Sequence, residues 1–177
     1  DACGVSGISL AGGSFDCGDV GAQALVTGLF ISEYAEGSLN NKCIEIYNGT
    51  GSAVSLAGHE LRMYFNGSST PGTVVALTGT VAPGDVFVAC NALSSAPFLA
   101  QADQVDGSGW YNGNDAVGLY ANGTLLDLVG RIGENPGTAW TAGSLGTENR
   151  TLVRRAAVWG GNTSNAPGFP ADRKSVV

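Results

Sequence analysis

Lysine is almost missing from this chain: Lys42 and Lys174 are the only two in 177 residues, and charged residues of every kind make up 13%. That is about half the usual share, so the surface must be largely neutral and polar. The formal net charge is −7, and the basic face that nucleic-acid binding needs to displace counterions is lacking. Nucleic acid is therefore not an expected partner, and an anionic membrane surface is disfavoured for the same reason. Long apolar runs are missing too. The longest are strand-sized, short of the roughly 20 residues that a spanning helix requires, so no membrane span is expected. A single histidine, His59, and the lack of a Cys-x-x-Cys pair argue against a zinc site. No Gly-x-Ser-x-Gly elbow supports a Ser-His-Asp hydrolase built on His59. The 15 acidic residues are scattered rather than set in pairs suited to hydrolysis. No residue is expected to be catalytic.

What the chain does contain is 44% hydrophobic residues, too many for disorder, and 28 glycines among abundant Asn, Ser and Thr. That mixture suits many short strands joined by tight turns. The length fits one domain with a short extension. Four cysteines, Cys3, Cys17, Cys43 and Cys90, are read as two disulfides in an oxidising compartment, and hence a secreted, extracellular protein. The chain begins at Asp1 rather than Met, which a cleaved signal peptide or simple trimming would both explain. Of three connectivities, Cys3–Cys17 with Cys43–Cys90 is favoured. The first would pin a Gly-rich loop and add roughly 3 kcal/mol on the loop-entropy view. The second would join two strands. It meets one difficulty, because Cys43 is in phase with Glu45 and Tyr47 whereas Cys90 is in phase with Val86 and Val88. A strand end or a bulge is expected to align the sulfurs.

Residues 1–24 read as an N-terminal extension with one apolar stretch, Val5 to Leu10, and residues 25–177 as the folded domain. Strands are expected at Leu25–Tyr34, Lys42–Asn48, Glu60–Asn66, Thr73–Leu77, Val86–Cys90, Ala116–Ala121, Thr124–Gly130 and Arg150–Val158. Pro97–Ala102 is the one expected helical turn. Pro83-Gly84 suits a type II turn, and Asn122-Gly123 suits the type I′ turn of a hairpin. About eight or nine short strands with regular turn signals and no helical periodicity indicate an all-β sandwich.

Three ordered stretches carry a resemblance: Ile31-Ser-Glu-Tyr-Ala-Glu-Gly-Ser-Leu-Asn-Asn-Lys-Cys-Ile-Glu-Ile-Tyr-Asn48 with Val54-Ser-Leu-Ala-Gly58, then Tyr111-Asn-Gly-Asn-Asp-Ala-Val-Gly-Leu119, then Asp127-Leu-Val-Gly-Arg-Ile-Gly-Glu-Asn-Pro-Gly-Thr-Ala-Trp140 with Arg150-Thr-Leu-Val-Arg-Arg155. Over roughly residues 25–172 the chain resembles the bacterial extracellular form of the lamin-tail domain. The resemblance implies an immunoglobulin-like sandwich without catalysis of its own, of the kind that accompanies secreted nucleases, phosphatases and surface proteins. Cys43 and Cys90 stand where that family often has Ala, and the paired change supports a bridge there. No nuclease domain lies within these residues, which weakens a nuclease assignment by association.

Four groups of residues are candidates for chemistry or contact. Glu33, Glu36, Asn41, Asn114 and Asp115, with Asn40, Glu45 and Asn112 nearby, are hard oxygen ligands that would suit calcium, the one cofactor considered. The competing and favoured reading is turn chemistry and cross-strand pairing with arginines. Asn48, Asn66, Asn122, Asn149 and Asn162 each begin an N-x-[ST] sequon and are candidate glycosylation sites where the source has the machinery. Arg150, Arg154 and Arg155, with Arg131, form the one basic cluster; they are expected to neutralise Glu33 and Glu45 or to lie on a solvated strand face. The aromatic residues Trp110, Trp140 and Trp159 would suit sugar stacking, although the resemblance points Trp140 to the core.

The resulting expectation is a secreted, non-catalytic structural module for surface or fibre assembly, a homopolymer or a partner of other extracellular proteins or glycans. Val5, Ile8 and Leu10 would add to a neighbour's sheet edge. The alternatives are an accessory domain of an extracellular nuclease and a calcium-dependent or sugar-binding adhesion module.

Overall fold

Alternation sets the architecture. In Lys42–Asn48 the apolar side chains of Ile44 and Ile46 fall on one face and those of Cys43, Glu45 and Tyr47 on the other, as the two-residue period of a strand requires. Ile44 and Ile46 are fully buried. The computed structural model describes residues 28–166, 169 and 173–176. The N-terminal extension, the Cys3–Cys17 pairing and the Val5, Ile8 and Leu10 segment lie outside the described residues.

In chain order the strands are β1 (Leu29–Glu36), β2 (Lys42–Asn48), β3 (Val54–Ser55), β4 (His59–Tyr64), β5 (Thr73–Ala76), β6 (Thr80–Val81), β7 (Val86–Asn91), β8 (Gln104–Asp106), β9 (Ala116–Ala121), β10 (Thr124–Val129), β11 (Thr141–Ala142), β12 (Leu145–Gly146), β13 (Arg150–Arg154) and β14 (Arg173–Val176). One helical turn, α1 (Ala96–Leu99), follows β7. A six-stranded sheet runs β14-β13-β1-β2-β7-β8 and a four-stranded sheet runs β10-β9-β4-β5. All their pairings are antiparallel except β7 with β8, which α1 connects in parallel. Each expected strand is present, and Asn122 (φ 48°) and Gly123 (φ 80°) both take the positive φ of a type I′ turn between β9 and β10. Gly84 has the positive φ, 76°, that the second central position of a type II turn needs.

The two sheets close on one core. Ile31, Tyr34, Ile44, Ile46, Phe87 and Leu152 from the larger sheet meet Leu61, Met63, Val75, Val117, Leu119 and Val129 from the smaller. Full burial of each such side chain contributes about 1.5–3 kcal/mol, and truncating a central one such as Leu61 to Ala would cost about 2–5 kcal/mol. Tyr111 enters from the loop after β8, stacks on Tyr34 with ring centroids 4.7 Å apart, and places its hydroxyl 2.7 and 2.8 Å from the carbonyls of Ala35 and Cys43.

The phase relations hold, but the strand end or bulge expected for the Cys43–Cys90 bridge needs correction. The core side chains of β7 are Phe87 and Ala89, whereas Val86 and Val88 point away from the core. An apolar pair need not face the sandwich interior when a helical turn lies over its other side. Cys90 therefore shares the outer face with Cys43, and the two are direct register partners across β2 and β7. Their disulfide, with Cα atoms 4.2 Å apart, forms with no bulge between these strands. The bulge sits instead in β1, between Ile31 and Glu33, and Ser32 donates to Glu45 Oε1 at 2.7 Å.

Candidate functional site

The charges of the sandwich fall into two classes, those paired inside the fold and those left on its surface. Arg154 of β13 and Asp127 of β10 form an ion pair between the two sheets, with side-chain exposures of 3% and 0%. Asp127 also accepts from the backbone N–H groups of Ile31 at 2.8 Å and Asn162 at 2.7 Å, while Arg154 donates to the carbonyls of Ile31 and Gly160. One carboxylate and one guanidinium thus tie β1, β10, β13 and the segment around residues 160–162. At the opposite end Lys42 and Glu36, register partners on β2 and β1, form a second buried pair, and Glu36 accepts the backbone N–H of Asn149. Arg131 pairs with Glu134, and Arg62 pairs with Glu60 while stacking over Tyr120 at 4.1 Å from the ring centroid. The arginines accordingly do not neutralise Glu33 and Glu45. Arg150 and Arg155 are exposed, as the solvated-face alternative has it.

The candidate calcium ligands divide among separate hydrogen-bonded groups. Glu36 is engaged by Lys42, and Asn41 Oδ1 accepts the N–H of Ser95. Both carboxylate oxygens of Asp115 accept backbone N–H groups, from Asn66 and Asn112, and Asn114 donates to the side-chain oxygens of Asn66 and Asn135. Among the described residues no three His, Cys, Asp or Glu side chains converge as a metal cluster. Asn48 is corrected as a glycosylation candidate: it is fully buried, and its Nδ2 donates to the carbonyls of Ser52, Val81 and Ala82. A glycan on that nitrogen is incompatible with this packing. Asn66, Asn122 and Asn149 are exposed in positive-φ turns, and Asn162 is half-buried. Trp140 is buried, with its indole N–H donating to Asp115 O at 3.1 Å, and Trp110 is partly buried against the core. Trp159 is 43% exposed. His59 is half-buried at the start of β4, with no acid or nucleophile hydrogen-bonded to it.

The surface that the fold does not use internally is the outer face of the six-stranded sheet. Over β1, β2 and β7 lies a groove of about 530 Å³, floored by Ala35 and Cys43 of the disulfide and walled by Val88 and by Phe98 of α1. Its rim holds four carboxylates, Glu33, Glu45, Asp85 and Asp103, and no basic side chain lines it. Glu33 and Glu45 are register partners. Burial, and then the neighbouring Glu45 carboxylate, hold the Glu33 carboxyl above its ordinary range. Among the described residues no cation pairs with either. Beside the groove is a second, more apolar depression of about 320 Å³ between Phe30, Tyr47, Val153, Val158 and Trp159, edged by Arg155. Asp85, Asp103, Phe98 and the outward valines escaped the sequence reading because each lies on a turn, a helix or the unexpected face of a strand. Surplus carboxylates near Val-x-Val were the available signal.

Compared with known protein families, residues 22–133 match the model of the Lamin Tail Domain. No curated protein matches the chain.

Proposed function

The chain belongs to the Lamin Tail Domain family, and from that premise we propose that it works outside the cell as a non-catalytic structural module that assembles with copies of itself. The observation that carries the reading is the outer face of the larger sheet. There, unneutralised carboxylates surround a partly apolar groove, although the buried Glu36–Lys42 and Asp127–Arg154 charges are paired within the fold. A surface with both features gains more from a protein partner than from water. The Cys43–Cys90 disulfide supports an oxidising compartment. No helix among the described residues is long and apolar enough to cross a membrane.

The sheet edges narrow how strand addition would work. Gln104 Nε2 donates to the carbonyl of Ala76 on β5, and Gly161 lies close against Leu126 O of β10, so each edge of the smaller sheet is already contacted at one point by another segment. The three-residue edge strand β8, with Val105 53% exposed, is the better place for a neighbour's Val5–Leu10 segment to add. Sedimentation velocity across a wide concentration range, with electron microscopy of the same samples, tests the reading. Concentration-dependent dimers or filaments are expected, and a monodisperse monomer at the highest concentration would contradict it.

A further inference from the structure

The two depressions on the outer face of the six-stranded sheet are opposite in character and share a boundary. Ser32 lines the apolar one, Glu45 lines the acidic one, and the 2.7 Å hydrogen bond from Ser32 Oγ to Glu45 Oε1 is the seam between them. On one side of the seam stand Glu33 and Glu45 with Val88 and Phe98; on the other stand Arg155 and Trp159. Six basic side chains belong to the part of the chain whose side chains are described. Lys42, Arg62, Arg131 and Arg154 have internal carboxylate partners, whereas Arg150 and Arg155 are exposed and have none, and of these two Arg155 lines the depression beside the groove. Glu33 likewise has a like charge for its nearest ionic neighbour and no cation. Trp and Arg are among the residue types enriched at the energetic centres of protein interfaces.

We infer that the occupant of the acidic groove is a second copy of this chain, docked face to face, with Trp159 of each copy over Val88 and Phe98 of the other and Arg155 of each copy paired with Glu33 and Glu45 of the other. The inference rests on the self-assembly reading and adds the surface to it. Charge complementarity carries it, because the acidic groove and the Arg155 edge of the apolar depression lie side by side on one face. A two-fold axis lying in the interface and dividing the two depressions exchanges left for right, and so brings the Arg155 and Trp159 side of each copy over the opposing acidic groove. Such an isologous contact closes on itself and contains every pairing twice. It yields a dimer; a longer assembly would need a second contact, such as strand addition at β8.

The same contact relieves two features that are unfavourable in the isolated copy. The Glu33–Glu45 repulsion gains a guanidinium, which binds two carboxylate oxygens in a planar fork better than lysine would. The 43% of Trp159 left in water gains an apolar cover, and a Trp side chain can bury about 150–250 Å².

Charge reversal and its rescue test this. Sedimentation equilibrium of the wild-type chain should give twice the 17.8 kDa of one copy. Arg155→Glu and Glu33→Arg should each raise the dimer dissociation constant by about tenfold or more, because each reversed pair occurs twice per dimer. The double variant E33R/R155E should recover the dimer. Trp159→Ser, at a site remote from the core, should weaken the dimer with an unchanged melting temperature, which guards against misfolding as the explanation. Self-association that none of the four variants alters would overturn this surface while leaving the self-assembly reading intact. A wild-type chain that stays monomeric at the highest concentration would overturn both.

Discussion

The inner and outer faces of the six-stranded sheet are made by the same residues' neighbours, yet they treat charge and apolar surface in opposite ways. On the inner side Glu36, Lys42, Asp127 and Arg154 are each buried and paired, and the aliphatic side chains around them are sealed between the sheets. On the outer side of the same two strands, Glu33 and Glu45 face each other without a cation, and elsewhere on that side Val86 and Trp159 meet water. A buried charge without a partner costs several kcal/mol, so the inner face had to be completed within the chain. The outer face carries no such requirement. What is incomplete there can be completed by another molecule.

The largest effect should come from breaking the inner side. Arg154→Ala leaves Asp127 buried with its ion-pair partner gone and should cost about 3–5 kcal/mol in denaturant unfolding. The double variant D127L/R154M should recover much of that loss, because both charges are then absent. If the single and double variants lose equally, the pair is not what holds the sheets in register. The disulfide comes next. Cys43 and Cys90 are 47 residues apart, and replacing both with Ala should cost about 2–4 kcal/mol, chiefly through a freer unfolded chain.

A smaller effect separates the Tyr111 hydroxyl from its ring. Burial, and then the nearby Glu36 carboxylate, hold this phenol well above the ordinary tyrosine range. A group whose folded pKa is raised gives stability that is complete below the unfolded value near 10 and is lost as pH rises through and beyond it. The wild-type protein should therefore lose stability above about pH 10. Tyr111→Phe should cost about 1 kcal/mol at neutral pH and flatten that alkaline fall. On the outer side the sign is the same, but the window lies in the carboxylate range rather than the alkaline one. Glu33 has a raised carboxyl pKa, so its ionised form opposes folding at neutral pH and its cost disappears as pH falls into the carboxylate range. Glu33→Gln should raise the isolated chain's stability at pH 7 by at most about 1 kcal/mol, since the site is partly solvated, and the gain should vanish in acid. Urea midpoints measured at high dilution, where association does not contribute, check both variants.

The legibility of the chain follows the same division. Periodicity and turn chemistry sufficed for the sandwich, because β2 and β9 match their expected bounds and Asn122-Gly123 makes the expected hairpin. The Cys43–Cys90 bridge was readable as a pairing but not in its geometry. Val86 and Val88 face outward, and α1, a four-residue turn with weak sequence signals, gives Val88 its apolar cover there. The Arg154–Asp127 pair was missed because its two residues lie on different sheets, and nothing in local spacing joins them. A carboxylate inside the apolar run Leu125-Leu-Asp-Leu-Val129 was the overlooked sign that a cation must reach it. The groove was illegible for a similar reason, since its carboxylates come from β1, β2 and two separate loops.

The most direct test of the outer face uses its own tryptophan. Trp140 is buried and Trp110 partly so, while Trp159 is 43% exposed, so Trp159 should dominate the fluorescence accessible to acrylamide. Quenching of the wild-type chain should weaken as protein concentration rises from about 1 to about 100 μM, a range that brackets a dissociation constant near 10 μM, the scale of about −7 kcal/mol. Quenching of the Arg155→Glu variant should not change over the same range. Equal quenching of both proteins at every concentration would contradict the account, since it would mean that the outer face stays in water whether or not a partner is at hand.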